Sequence, residues 1–303
     1  MRVLITGASG LIGSAVADAL LARGNEVVAL SRDPARVRTT NPTATWHQWE
    51  PTTERPPAEA FAGVEAVVNL IGEEINQRLT PEAKRSIRDS RVRATRNLVD
   101  GMTSVDGGGP KVLVSQAAVG YYADHGDAIV DESTAAGPEW LSQLVVEWEE
   151  QARGAEASGV RVAILRTGLY LDPDGGLLKQ LLPVFKLGVG GPLSSGRQYM
   201  PWIHRDDEVG LILWALENPE VTGTLNASAP NPVTNREFSK QLGRVLRRPS
   251  LIPAPKLAVA ALRGHELTDS ILASLRVVPR RALDLGYGFR WPELEPALRD
   301  LLR

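Results

Sequence analysis

The chain has 303 residues, 43% hydrophobic and 23% charged, with a formal net charge of −2. That balance belongs to a soluble globular protein with one large core or two domains, and it argues against nucleic acid or anionic lipid as a partner. There is no cysteine, which excludes disulfides, thiol catalysis and thiolate metal sites. The four histidines, His47, His125, His204 and His265, stand far apart and share no ligand spacing, so no metal is expected. No uninterrupted apolar run is long enough to span a bilayer. No signal peptide precedes the first strand at Arg2, and the expectation is a cytoplasmic protein with no membrane partner.

The chain opens with the apolar run Val3-Leu4-Ile5, then the turn Gly7-Ala8-Ser9-Gly10-Leu11-Ile12-Gly13. Apolar residues at helical spacing follow: Leu11, Ile12, Ala15, Val16, Ala19 and Leu20. Strand, glycine turn and helix in this order suit a dinucleotide pyrophosphate. Gly7 allows the tight turn, Gly10 lets the backbone approach the phosphates, and Gly13 lets the helix lie close to the strand. The free N–H groups at the helix start then face the anion. An ordinary tight strand-to-helix turn uses the same glycines, so the flanking strand and helix carry the reading.

Gly24 closes the first helix at its C′ position, and Glu26–Leu30 reads as the second strand. Asp33-Pro34 reads as a helix cap followed by proline at the first helical position. Thr45–Trp49 is a candidate third strand. The segment 50–58, with Pro51, Pro56 and Pro57, reads as a surface connection. Val64–Ile71 is a buried strand leading to Leu70 and Gly72. Pro81–Met102 is a long helix, and 106–110 a flexible break. Lys111–Ser115 is the fifth strand, Pro138–Ser158 a helix and Val160–Arg166 the sixth strand. This alternation predicts an α/β fold with a Rossmann-type, doubly wound parallel sheet. After Arg166 glycine and proline loops multiply. Residues 1–167 are read as the nucleotide-binding domain, with a return to its sheet at about 205–228. Residues 168–204 and 229–303 are read as a smaller α+β domain on the substrate side.

The end of the second strand selects the nucleotide. An acidic residue there would accept hydrogen bonds from the ribose hydroxyls of NAD. This chain has Ser31 and then Arg32. A hydroxyl and a guanidinium suit a 2′-phosphate, which favours NADP(H). Asp33, one step on, reads as the cap of the next helix.

The glycine turn, the helix texture and the two-part layout resemble the extended, epimerase-like branch of the short-chain dehydrogenase/reductase superfamily. The segments NLIGEEINQRLTPEAKRSIRDSRVRATRNLV, AAVGYYADHGD, PEWLSQLVVEWEEQA, PWIHRDDEVGLI and RVVPRRALDLGYGFRWPELEPALRDLLR are similar to an atypical epimerase subgroup. Its members carry a C-terminal domain of unknown function, and the resemblance covers essentially the whole chain. It implies a nicotinamide cofactor and the fold more firmly than a reaction. The superfamily's chemistry implies a tyrosine proton donor with a lysine four residues on, and a serine on the substrate oxygen. None of the tyrosines at 121, 122, 170, 199 and 287 has that lysine. The matching helix reads Trp140-Leu141 and Leu144-Val145. Ala117 stands where related sequences have serine, with Ser115 nearby, and the usual helix asparagine is replaced near Ser90-Arg91.

Tyr121 and Tyr122 follow the fifth strand, on the rim where parallel sheets bind ligands, and are the candidate proton donors. They also read as loop tyrosines packed under the second domain. His125 titrates near neutrality or is a solvated loop residue. Arg78 and Lys84 hold an anionic ligand or are solvated helix charges. Arg166 meets a phosphate or substrate oxygen, or forms a strand-end ion pair. The cofactor-binding set is Gly7, Ser9, Gly10, Leu11, Ile12, Gly13, Ser31, Arg32, Leu70, Gly72, Ser115 and Arg166. The expected activity is that of an oxidoreductase or epimerase acting on a small-molecule substrate. The alternative is a regulatory or scaffold protein that holds NADP without turnover.

Overall fold

The structure, a computed structural model, describes residues 1–39, 41–105 and 108–303. Strand β1 (Arg2–Thr6) passes through the glycine turn into α1 (Leu11–Ala22) and returns as β2 (Glu26–Ser31). A single turn, α2 (Pro34–Val37), precedes β3 (Thr45–Gln48), and β4 (Ala66–Asn69) follows. Helices α3 (Pro81–Arg88) and α4 (Ala94–Thr103) lead to β5 (Val112–Ala118). Beyond the two-residue β6 (Ile129–Val130), α5 (Trp140–Arg153) leads to β7 (Arg161–Thr167). The chain then leaves the sheet through β8 (Leu169–Asp172), α6 (Gly176–Lys186), β9 (Tyr199–Met200) and β10 (Trp202–His204). It re-enters through α7 (Arg205–Glu217) and β11 (Gly223–Ala227), then leaves again through β12 (Val233–Thr234) and α8 (Asn235–Leu246). The last elements are α9 (Lys256–Arg263), α10 (His265–Leu272), β13 (Arg276–Val277), α11 (Arg280–Asp284) and α12 (Leu294–Leu301).

The main sheet has seven strands in the order β11-β7-β5-β4-β1-β2-β3. Every neighbouring pair in it is parallel. The chain runs outward from β1 through β2 and β3, then crosses to β4 on the other side. The C-terminal ends of β1 and β4 therefore form the switch point where such sheets bind ligands. The strands read as continuous apolar runs because both faces are covered. Val3, Ile5, Val27, Ala29 and Val68 pack with α1 and α7, while Leu4, Val28, Val67, Leu113 and Val162 pack with α4 and α5. Each such side chain stabilises the fold by roughly 1.5–3 kcal/mol when fully buried. A separate core around Leu178, Phe185, Trp202, Phe238, Leu242 and Leu298 holds the segments outside the sheet.

Several boundaries differ from the sequence reading. The expected Pro81–Met102 helix is interrupted by a π-helical segment at Asp89–Arg93. Strand β5 continues past Ser115 because its register with β7 runs on to Ala118 opposite Thr167. Helix α5 starts at Trp140 and tightens to a 3₁₀ turn over Gly154–Ser158. Pro51 and Pro56 are buried rather than on the surface, and Pro56 lies against Gly101. Of the expected break at 106–110, residues 106 and 107 lie outside the described residues. Among the described residues no helix is long and apolar enough to cross a membrane.

Candidate functional site

The glycine turn is shaped by two contacts that no side chain tolerates, at Gly7 and Gly13, and by one backbone hydrogen bond. Gly7 has φ of +68°, and a Cβ there would lie 2.7 Å from the Leu70 carbonyl oxygen. The Gly10 amide donates to the Gly7 carbonyl at 2.9 Å. A Cβ on Gly13 would stand 2.1 Å from that same carbonyl oxygen, so α1 lies hard against the end of β1. The first helical bond of α1 runs from the Ser14 amide to the Gly10 carbonyl. The amides of Leu11, Ile12 and Gly13 precede it and are available to an anion. Ser9 and Gly10 are exposed above them.

Ser31 ends the neighbouring strand β2, and Arg32 follows it. Asp33 caps α2 by accepting from the Arg36 amide at 3.2 Å, with Pro34 next, so its carboxylate is committed to the helix. Arg32 is exposed. On the other side, Leu70 to Gly72 continue β4. Gly72 is overlaid by Arg91, whose guanidinium carbon would be 3.1 Å from a Cβ there. Arg91 sits in the π segment and donates to the Glu73 carbonyl at 2.9 Å. Its guanidinium lies 5.3 Å from the Trp148 ring centre, and burial pulls its pKa down to about 10. The sequence marks this place only as a missing asparagine; the π bulge is what turns Arg91 toward the β4 loop. The Glu73 carboxyl is held below its usual range by hydrogen bonds from Ser86 and Gln77, with Arg91 and Arg32 adding their charge.

Beneath this surface Asn69 ties the strands together. Its Oδ1 accepts from Thr6 Oγ at 2.7 Å, and its Nδ2 donates to Thr95 Oγ at 3.0 Å and Ser115 Oγ at 3.1 Å. Trp148 Nε1 donates to the same Thr95 hydroxyl at 3.0 Å. Ser115 is thus 1% exposed and belongs to a buried network under the strand ends. This corrects its placement among residues open to a ligand: Asn69, not a cofactor, takes its oxygen.

The two tyrosines part company. Tyr122 is buried, its hydroxyl donating to Asn226 Oδ1 at 2.8 Å and accepting from Arg166 Nη1 at 2.9 Å. Burial pushes its pKa up to about 12. Tyr122 is therefore no proton donor to a cleft, because both sides of its oxygen are occupied inside the protein. Arg166 is corrected with it. Its Nε and Nη2 grip the Glu149 carboxylate at 2.6 and 2.9 Å, and the pair is almost fully buried. The strand-end ion pair is the alternative the structure supports, since Arg166 is 3% exposed and each of its three nitrogens is bonded to Glu149 or Tyr122. The guanidinium carbon lies 3.3 Å from the centre of the Tyr121 ring, a cation–π contact. Tyr121 alone remains half-exposed at the end of β5.

Arg78 and Lys84 serve a different contact from the one expected. Arg78 donates to the Ala261 carbonyl at 3.1 Å, Lys84 pairs with Glu266 at 2.6 Å, and Arg263 reaches back to the Asn76 carbonyl at 2.9 Å. They bridge the loop after β4 to α9 and α10. Lys84 also lies over the Trp140 ring. His125 is half-buried in the loop after β5, its amide bonded to the Ser274 carbonyl. His204, Asp206 and Asp300 come together near the start of α7. The His204 Nδ1 accepts from the Asp206 amide at 3.0 Å. Nε2 of the ring faces the Asp300 carboxylate at 3.5 Å and makes no hydrogen bond among the described residues. A groove of about 490 Å³ runs from Leu11 along α1 and α7, on the flank of the sheet and not over the glycine turn.

Comparison with known proteins agrees with this geometry. The model of the NAD dependent epimerase/dehydratase family matches residues 3–227, and that of a domain of unknown function, DUF1731, matches residues 254–301. The chain is 39% identical over 304 residues to the chloroplastic SDR39U1 homolog of Arabidopsis thaliana, an epimerase family protein, covering all of this chain and 87% of that one. It is 36% identical to human epimerase family protein SDR39U1, with all of both chains covered. The crystal structure of human SDR39U1 (isoform 2) with NADPH superposes with a TM-score of 0.87 at 34% identity, covering 99% of both chains. A UDP-glucuronic acid 4-epimerase from Bacillus cereus shares the fold, with a TM-score of 0.79 at 14% identity. The chain belongs to the NAD dependent epimerase/dehydratase family.

Proposed function

We propose that this chain is an NADP(H)-dependent oxidoreductase or epimerase acting on a small metabolite. The observation that carries the cofactor is the NADPH held by the human relative, joined here to an N-terminal turn flanked by Ser31 and Arg32. In this reading Gly7, Ser9, Gly10, Leu11, Ile12 and Gly13 receive the pyrophosphate. Ser31 and Arg32 receive the 2′-phosphate, and Leu70 and Gly72 form the wall along which the cofactor runs toward β5. NADPH supplies the hydride. Residues 168–204 and 229–303 form the substrate side, and Tyr121 orients the substrate oxygen from the end of β5. Arg166, held by Glu149, acts from below and fixes the Tyr121 ring by its cation–π contact.

Titrating NADPH and NADH into wild type and Arg32→Ala tests the nucleotide choice. Wild type is expected to prefer NADPH. Loss of one charge-assisted contact weakens NADPH roughly 10- to 100-fold, leaving NADH nearly unchanged. Equal affinities in wild type overturn it. Turnover is tested by NADPH oxidation against a broad panel of carbonyl compounds. Tight binding with no oxidation favours instead a regulator that holds the nucleotide, a reading supported by the absent Tyr-x-x-x-Lys pair and by the burial of Tyr122.

A further inference from the structure

A tyrosine without its lysine leaves the source of the proton open, and the strand beside Tyr121 offers one. Glu208, in the first turn of α7, is 0% exposed. Its Oε1 accepts from Thr167 Oγ at 2.7 Å, and its Oε2 has no hydrogen-bond partner among the described residues. Thr167 is the last residue of β7, and its Oγ also accepts from Gln116 Nε2 at 3.4 Å. Gln116 is half-exposed on β5. The turn that carries Tyr121 packs directly on β7. The three side chains thus form a file from the C-terminal ends of β5 and β7 down to a carboxyl sealed from water.

We propose that Glu208 is the proton store of this site and that the Thr167 hydroxyl hands its proton to the substrate oxygen, filling the place of the missing tyrosine–lysine pair. The proposal rests on the oxidoreductase or epimerase reading above. A hydroxyl has two lone pairs and one hydrogen. In the structure Thr167 Oγ donates its hydrogen to Glu208 Oε1 and accepts from Gln116, which leaves one lone pair for a substrate hydroxyl. With Glu208 protonated, rotation of the Thr167 hydroxyl lets the acid donate to Oγ and frees the Oγ hydrogen for a substrate oxygen. When a substrate carbonyl carbon accepts hydride, its oxygen becomes an alkoxide. That oxygen takes the Oγ hydrogen of Thr167, Oγ takes the proton of Glu208, and Glu208 is left as a carboxylate accepting from Thr167, the bond seen in the structure. After product leaves, the proton returns through Thr167 from water admitted to the cleft. The reductant is the nicotinamide, so atoms and charge balance. The environment suits a stored proton. Burial pushes the Glu208 pKa up to about 8, with the Thr167 hydrogen bond opposing it. The phenols of Tyr170 on β8 and Tyr287 before α12 feel the Glu208 charge and are themselves raised by burial. Neither supplies a cation that would ionise it. On its own helix Arg205 is paired with Asp172, Asp206 with Arg290, and Asp207 accepts from the Arg290 and Trp291 amides.

The test joins a spectroscopic and a kinetic reading of the intact protein. Infrared difference spectra of wild type and Glu208→Gln, recorded through neutral pH with NADPH bound, report the acid directly. A protonated-carboxyl band that is present in wild type, titrates in the mildly alkaline range and is missing in the variant is expected. A carboxylate band throughout overturns the proposal whether or not a substrate is in hand. With a reducible carbonyl, Glu208→Gln and Thr167→Val are expected to lower kcat at least tenfold and to abolish the alkaline limb of its pH profile. Thr167→Ser restores both, and NADPH affinity stays unchanged in all three. Unchanged kcat and profile in Glu208→Gln overturn the relay while leaving the oxidoreductase reading intact. No NADPH oxidation by wild type with any carbonyl overturns that reading and the relay's catalytic role together, the infrared band then showing only a stored proton.

Discussion

At the scale of single residues, small distances decide large effects. Gly13 is the strongest case. Its missing Cβ would overlap the Gly7 carbonyl oxygen at 2.1 Å, and backbone on both sides has no room to yield. Gly13→Ala is expected to cost roughly 1–3 kcal/mol or more, read as a lower thermal midpoint together with weakened NADPH binding. Glu208 works in the opposite sense. Its folded pKa of about 8 lies above its ordinary 4.5. The unfolded chain therefore releases this proton first as pH rises. The stability tied to it is full below about pH 4.5 and is lost as pH climbs through about 8, at a limiting slope of about 1.4 kcal/mol per pH unit. Denaturant melts of Glu208→Gln over that window should show a flatter pH dependence than wild type. A steeper or unchanged dependence counts against a neutral Glu208.

Secondary-structure elements show how local sequence and packing share control. The π segment at Asp89–Arg93 carries no sequence signal that propensity would detect, since arginine, serine and aspartate suit an ordinary exposed turn. It forms where the helix must present Arg91 to the β4 loop and keep Thr95 under Asn69. Such bulges gather at functional positions. Arg91→Ala removes the bond to the Glu73 carbonyl and the cover over Gly72. Expected are a loss of about 1–2 kcal/mol of stability and roughly tenfold weaker NADPH binding, measured by melting and titration. Normal nucleotide affinity in a folded variant would show that the loop keeps its shape unaided. The helices with strong end signals behaved as their sequences direct. Asp33-Pro34 caps α2, and Thr80-Pro81 caps α3 in the same manner.

At the scale of the whole molecule, a buried carboxylate on α7 is one of the ties that hold the C-terminal segment. Asp207 accepts from the amides of Arg290 at 2.7 Å and Trp291 at 2.9 Å, and Trp291 packs beside His204. Asp207→Ala leaves two amides without their acceptor and should cost about 1.5–3 kcal/mol. Hydrogen exchange would then rise first in residues 286–301, ahead of β1 and β4. Uniform exchange across the sheet instead would mean that the segment is no separate unit. Loop contacts from Arg78, Lys84 and Arg263 add a second join at the far side of the cleft, built from partly exposed groups and correspondingly weaker.

The sequence by itself determined the α/β alternation that gives the parallel sheet and the glycine turn, because each is written in local residue patterns. Apolar runs separated by helical spacing specify a doubly wound sheet, and glycines at 7, 10 and 13 specify a close backbone turn. The return of Gly223–Ala227 to β7 was legible for the same reason, as a helix and strand of the right length. Only the tertiary structure decided which polar groups face the cleft. Tyr121 and Tyr122 are adjacent in sequence, yet one is sealed by Asn226 and Arg166 while the other stays open. Arg166 reads as a strand-end cation until Glu149, 17 residues away, takes its fork. Glu208 reads as one more acid in a charged helix start, and its isolation depends on side chains from β7, β8 and the C-terminal segment. Burial is a property of the assembled packing, and with it goes the proton chemistry that composition and spacing cannot carry.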